Sequence, residues 1–190
     1  MSQAKNFSTI IKAWLLHSGN FIIEVAKVVV ISLAIILPIR YFLIQPFYVK
    51  GASMEPNYHD YEYLIIDELS YRFSPPQRGQ VVVLNDPRNH KQFFIKRIVG
   101  LPGETIIFKN GTVVVNGDVL DESVYLASDV MTNTFSGQSQ FTLQDDQYFV
   151  MGDNREQSYD SRRFGPVDID TLVGRVWIRA WPLDRLAIFD

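Results

Sequence analysis

Thr105-Ile106-Ile107-Phe108-Lys109-Asn110-Gly111-Thr112-Val113-Val114-Val115 joins two β-branched and aromatic runs through Asn-Gly. That dipeptide tolerates the positive φ a two-residue hairpin turn needs, so the stretch reads as paired antiparallel strands. Asn116-Gly117 supplies another turn directly after it. Outward from this hairpin, similar composition recurs at Phe47–Lys50, Tyr63–Leu69, Gln80–Asn85, Gln92–Val99, Tyr148–Met151 and Thr171–Ala180, each expected to be a strand. Helical periodicity is nearly absent after residue 47, apart from one short turn expected at Ser53–His59. Ser123–Gln140 is polar and reads as a surface loop. Residues 47–190 are therefore expected to form a mainly β, antiparallel domain.

The chain before this domain differs in kind. Val28–Ile39 carries no charge, and Ser32 is its only polar side chain. A bilayer span needs roughly 20 residues at about 1.5 Å each, so this run must extend toward Phe21 or Phe47 to cross. Lys27 and Arg40 can snorkel to headgroups, and Tyr41, Phe42, Phe47 and Tyr48 resemble an interfacial aromatic belt. Pro38 is expected to kink or end the helix. A buried helix of a soluble protein and a cleaved signal peptide compete with this reading. Against the latter, Arg40 and bulky aromatics stand where small residues would mark a cleavage site. The expected organisation is a cytoplasmic segment at 1–20, one transmembrane helix at 21–46 and an exported domain at 47–190. Lys5, Lys12 and Lys27 against Glu24 place the N-terminus inside by the positive-inside rule.

Composition narrows the chemistry. The 190 residues carry a formal net charge of −3, which argues against nucleic acid as a partner. There is no Cys, which removes disulfides and thiolate metal sites, and the three His are scattered without ligand spacing. No metal or other cofactor is expected.

Three segments carry reactive groups. In Gly51-Ala52-Ser53-Met54-Glu55-Pro56, small residues leave Ser53 uncrowded for an approaching peptide, and its N–H can face a developing oxyanion. The same serine can instead cap a turn at Met54–Asn57. In Phe93-Phe94-Ile95-Lys96-Arg97-Ile98-Val99, alternation puts Phe94, Lys96 and Ile98 on one face. Desolvation there would lower the Lys96 pKa from about 10.4 toward the range a general base needs. The alternative is an edge-strand lysine reaching water. In Gly152-Asp153-Asn154-Arg155-Glu156-Gln157-Ser158-Tyr159-Asp160-Ser161-Arg162-Arg163-Phe164-Gly165, Ser158 or Ser161 can aim the lysine amine, and Asp160 can pair with Arg162. A solvated, hydrogen-bonded loop is the plainer reading.

Together with Arg78-Gly79-Gln80-Val81-Val82-Val83 and Gly100-Leu101-Pro102-Gly103-Glu104, these segments resemble bacterial type I signal peptidases. The resemblance spans roughly residues 20–182, with four motifs in order behind an apolar anchor. It implies Ser53 as nucleophile and Lys96 as general base, with Ser158 orienting the amine. Asp160 and Arg162 become structural supports, and Arg97 pairs with Asp153. It implies a signal-peptidase-type β fold with a small β second lobe at 106–146, as in the compact single-anchor branch. Gly51 stands where many relatives have a hydroxyl residue, leaving the oxyanion to the Ser53 N–H and backbone of Gly51.

The implied activity is removal of signal peptides from exported preproteins after small-x-small sites such as Ala-x-Ala. Phe47, Val49, Met54, Phe94 and Ile95 are candidate pocket residues, with strand addition to Phe47–Gly51 and Phe93–Lys96. The implied setting is the bacterial cytoplasmic membrane, with the bilayer as a partner, the catalytic domain on the outer face and only transient association with the secretion machinery. Self-cleaving repressors of the LexA type share the serine–lysine resemblance but are soluble and bind DNA. A membrane-tethered binding domain and a processor of one dedicated substrate, such as a pilin, are the remaining alternatives.

Overall fold

A computed structural model describes residues 21–37, 44–89, 91–135 and 137–189. The chain divides into two compact units, 1–43 and Ile44–Asp190. In the first, residues 21–37 form helix α1. Its large apolar side chains are exposed, from Phe21 at 69% to Leu37 at 57%, and Lys27 pairs with Glu24 at 3.0 Å. Among the described residues no helix is long and apolar enough to cross a membrane. At 1.5 Å per residue α1 reaches about 25 Å, short of a hydrocarbon core of about 30 Å. The expected segment 1–20 lies outside the described residues, as do positions 38–43 of the expected span 21–46 and with them Pro38, Arg40, Tyr41 and Phe42; residues 44–46 of that span are not helix but the start of the strand Ile44–Tyr48, drawn into the sheet by pairing with Ile65–Asp67.

The second unit is built of antiparallel sheet. Its strands are β1 (Ile44–Tyr48), β2 (Tyr63–Asp67), β3 (Val81–Asn85), β4 (Phe93–Gly100), β5 (Thr105–Lys109), β6 (Thr112–Val115), β7 (Asp118–Val119), β8 (Gln140–Thr142), β9 (Gln147–Met151), β10 (Val167–Asp168), β11 (Leu172–Trp181) and β12 (Ala187–Ile188). The larger sheet runs β1-β2-β11-β3-β4-β9-β10, with β12 paired to the far half of β11. Strand β2 stops at Asp67 because its carboxylate turns back to accept the N–H groups of Leu69 and Ser70, both at 3.0 Å. A four-stranded sheet, β7-β6-β5-β8, occupies Thr105–Thr142 and contains the Asn110-Gly111 hairpin. Asn110 and Gly111 both take positive φ, 53° and 77°, as that turn requires.

Strand β3 explains why the centre is stable. It is buried on both faces, which suits an unbroken Val-Val-Val-Leu run. Val81 and Val83 pack with Val49, Met54, Tyr58, Leu64, Ile66 and Val176. Val82 and Leu84 pack with Ile98, Tyr148, Val150 and Val167 on the other side. A third cluster joins the two sheets through Val99, Phe149 and Met151 against Ile106, Phe108, Val113 and Phe141. Strand β4 borders all of these layers, and Lys96 is the fourth of its eight residues.

Candidate active site

Strand β4 lies between β3 and β9, with Val82 opposite Lys96 and Met151 opposite Arg97. Partners across an antiparallel pair share a face, so Lys96 emerges among Val82, Phe94 and Ile98. It is 3% exposed. Its ammonium sits 5.6 Å from the centre of the Phe94 ring. Burial lowers its pKa to about 8, although Asp160 and Asp153 pull the other way.

Ser53 arrives from a different direction. Residues 51–58 leave the sheet as a chain of turns, closed by Glu55 N–H to Ala52 O at 3.2 Å and Tyr58 N–H to Met54 O at 2.9 Å. The Ser53 carbonyl accepts the N–H of Asn154 at 3.1 Å, which ties the turn to the loop after β9. Ser53 Oγ thereby stands 2.7 Å from Lys96 Nζ, while Nζ also donates to Ile95 O at 2.9 Å. A nucleophile candidate and a desolvated amine are thus in direct contact across 43 residues of chain.

Ser158 is buried at 2% exposure on the same loop. A Cβ on Gly152 would collide with both Ser158 Oγ and the Ser53 carbonyl, so the two serines flank that glycine. The Ser158 hydroxyl helps hold down the Asp160 pKa, but no partner meets it with full hydrogen-bond geometry. The second acceptor of Lys96 is the Ile95 carbonyl, where the resemblance had implied an orienting contact from Ser158.

Asp160 and Arg162 are both buried and form a two-pronged pair, Nε to Oδ1 at 2.9 Å and Nη2 to Oδ2 at 2.8 Å. Asp160 also caps α2 (Ser161–Phe164), accepts the Gly152 N–H at 3.0 Å, and Arg162 reaches the carbonyls of Arg155 and Asn133. Burial raises the Asp160 pKa, but Arg162 and the other donors outweigh it and the net direction is down. On the opposite face of β4, Arg97 clasps Asp153 at 2.8 and 2.6 Å and stacks on Tyr125.

Gly51 has φ of +97°, with open space where a side chain would project. Its N–H donates to Asp60 Oδ1 at 2.9 Å, which removes it as a free oxyanion donor. The Ser53 N–H has no acceptor among the described residues.

Beside this pair lies a cleft of ≈ 100 Å³, lined by Phe47, Val49, Phe94 and Ile95 together with Leu64 and Val83. Met54 is not in its lining. It is 1% exposed and faces the core beneath, because the turn after Ser53 swings its side chain onto Tyr58 and Leu64. Sequence reading missed Leu64, Val83, Asp60 and Asn57. Asn57 Nδ2 binds Asp153 at 2.8 Å, and its carbonyl accepts from Arg179 and Arg185. Alternation along β2 marks Leu64 as core and the unbroken apolar run of β3 marks Val83 as core, but nothing local distinguishes Asn57 or Asp60 from ordinary turn residues.

The chain matches the family model described as signal peptidase, peptidase S26, over residues 22–181. It is 38% identical to a probable signal peptidase I-2 of Synechocystis sp., over 89% of this chain and 78% of that protein. It is 36% identical to signal peptidase I of Leptolyngbya laminosa, covering 87% and 82%, and 32% identical to signal peptidase IB of Staphylococcus aureus, covering 83% and 88%. A crystal structure of a signal peptidase I from Enterococcus faecalis aligns at 34% identity with a TM-score of 0.45, over 54% of this chain and 97% of that one.

Proposed function

The chain belongs to the signal peptidase family, peptidase S26, and we propose that in its reaction, removal of signal peptides from preproteins, Ser53 is the nucleophile and Lys96 the general base. The observation that carries this is the 2.7 Å contact between Ser53 Oγ and Lys96 Nζ inside a desolvated strand. In the reactive form the amine is neutral and the serine O–H donates to it. As Oγ bonds to the scissile carbonyl carbon, Lys96 takes the serine proton. The resulting ammonium then protonates the leaving amide nitrogen, and an ester remains on Ser53. Lys96, neutral again, takes a proton from a water that attacks the ester carbon; as the Oγ–C bond breaks, Lys96 returns that proton to Ser53 Oγ and the signal peptide leaves with a free carboxylate. The Ser53 N–H faces the developing oxyanion in both halves. Loss of one such donor costs about 2.7–4 kcal/mol in other hydrolases.

Support for a small-x-small preference comes from the cleft. Its ≈ 100 Å³ suits methyl-sized side chains, well under the ~300 Å³ and more of drug-sized pockets. Phe47, Val49, Phe94 and Ile95 supply apolar walls, so a charged residue there would lose its hydration without a partner.

The segment 21–43, which contains helix α1, acts as the anchor in the bacterial cytoplasmic membrane, N-terminus inside and catalytic domain outside. Support comes from its uncovered apolar side chains, which are unfavourable in water around the whole helix. Mass-spectrometric mapping of preprotein cleavage by the detergent-solubilised protein tests the activity. Ser53→Ala and Lys96→Ala should each lower the rate by more than about 10⁴-fold while leaving membrane insertion intact. Near-normal cleavage in either variant would sink the assignment.

A further inference from the structure

A larger depression of ≈ 720 Å³ begins on the other side of the Ser53 turn. Its walls are Glu55–Pro56, the Leu126–Met131 segment and the Asp153–Glu156 loop. The floor is apolar, with Val130 38% and Met131 61% exposed. The rim is acidic. Two of the charged groups along it are already engaged: Asp153 is held by Arg97 at 2.6 Å, and Arg155 turns to Glu122 at 3.0 Å. Glu55 lies 3.7 Å from His59, while Asp129 and Glu156 are exposed carboxylates.

The groove borders the turn that carries Ser53. Asn154, one of its lining residues, donates its N–H to the carbonyl of Ser53, and Glu55 follows Ser53 by two positions. A substrate with its small side chains in the cleft and its carbonyl at Ser53 Oγ has this turn beside its scissile bond. In extended form, three further residues cover about 10 Å at roughly 3.3 Å each, enough to enter the groove.

We infer that this groove receives the residues following the scissile bond and favours a basic side chain there over an acidic one. The inference rests on Ser53 as the nucleophile. Apolar contact with Val130 and Met131 holds the stem of a long side chain, and the carboxylates of Asp129 and Glu156 meet its charged tip. An acidic side chain in the same place meets only like charge.

The test uses the full chain in detergent with peptides identical up to the scissile bond and carrying Lys, Ala or Glu at the second or third residue beyond it. The Lys peptide should exceed the Glu peptide in kcat/KM by about fivefold at low salt, the gap shrinking toward one at about 0.5 M salt as screening grows. In the double variant Asp129→Asn, Glu156→Gln, the Lys-to-Glu ratio should fall to within about twofold, chiefly through KM. Discrimination between Ala and Val at the residue before the bond should persist, because general loss of fold would scale all peptides alike. A ratio near one in the unaltered enzyme, or an unchanged ratio in the double variant, overturns the inference. Failure to cleave any of the peptides would instead overturn the Ser53 reading, and the inference with it.

Discussion

At Lys96 two demands conflict. The proposed role as general base needs a neutral amine near neutral pH, and folding a buried lysine at that pH is unfavourable. With its pKa near 8, about one lysine in ten is neutral at pH 7, against one in a few thousand for an exposed side chain. The kcat/KM profile should therefore rise about tenfold per pH unit up to about pH 8 and then level off; a plateau already reached at pH 6 would contradict Lys96 as base. Stability carries the opposite imprint. The folded pKa lies below the unfolded one, so between about pH 8 and 10.4 the unfolded chain binds more protons and stability increases with pH. Below that window the whole penalty is present. Lys96→Met should accordingly raise the unfolding free energy at pH 7 by up to about 3 kcal/mol, and by much less near pH 10. Denaturant melts at the two pH values check this, and a variant less stable than the parent at pH 7 would refute it. The burial of Lys96 was legible in its apolar neighbours Phe94 and Ile98, because strand alternation is local. The inward turn of Met54 was not, because it depends on how residues 51–58 leave the sheet.

Among the elements, the loop from Gly152 to Gly165 fixes the geometry of the site. Asp160 serves at once as helix cap, partner of Arg162 and acceptor for Gly152, so the loop has little freedom to drift. Gly152 lies where that loop touches the Ser53 carbonyl and the Ser158 hydroxyl, both closer than any side chain permits. Gly152→Ala must push the Ser53 backbone or Ser158 aside. The expected cost is about 1–3 kcal/mol of stability and about 100-fold in kcat, since a displacement near 1 Å at the proposed nucleophile is expensive. KM should change less. Equal activity would show that the loop yields without moving Ser53. The pairing of Asp160 with Arg162 could be anticipated from composition, as could most long strands. The short strands β7, β8, β10 and β12 could not. They span two or three residues each, too few for alternation to register, and exist because neighbouring strands offer free edges.

For the whole molecule, the question is what each unit contributes. Among the described residues, all three core clusters of the β unit draw on residues from Phe47 onward. A protein comprising residues 44–190 should therefore fold and unfold cooperatively in denaturant. It should also cleave a short soluble peptide within about tenfold of the full chain, since the cleft, Ser53 and Lys96 all belong to this unit. Preproteins embedded in vesicles are different. An enzyme held by the proposed anchor meets an anchored substrate at an effective concentration set by the membrane surface rather than by bulk volume. Removing the helix should therefore lower that rate by about 100-fold or more, although the active site is unaltered. Peptide and vesicle assays on the same two proteins separate the cases. Loss of both activities together with the cooperative transition would mean that the β unit depends on residues 1–43 to fold. Retention of both at full rate would mean that the apolar helix does not bring enzyme and substrate together. The predicted result, peptide cleavage kept and vesicle cleavage lost, assigns chemistry to the sheet and encounter to the helix.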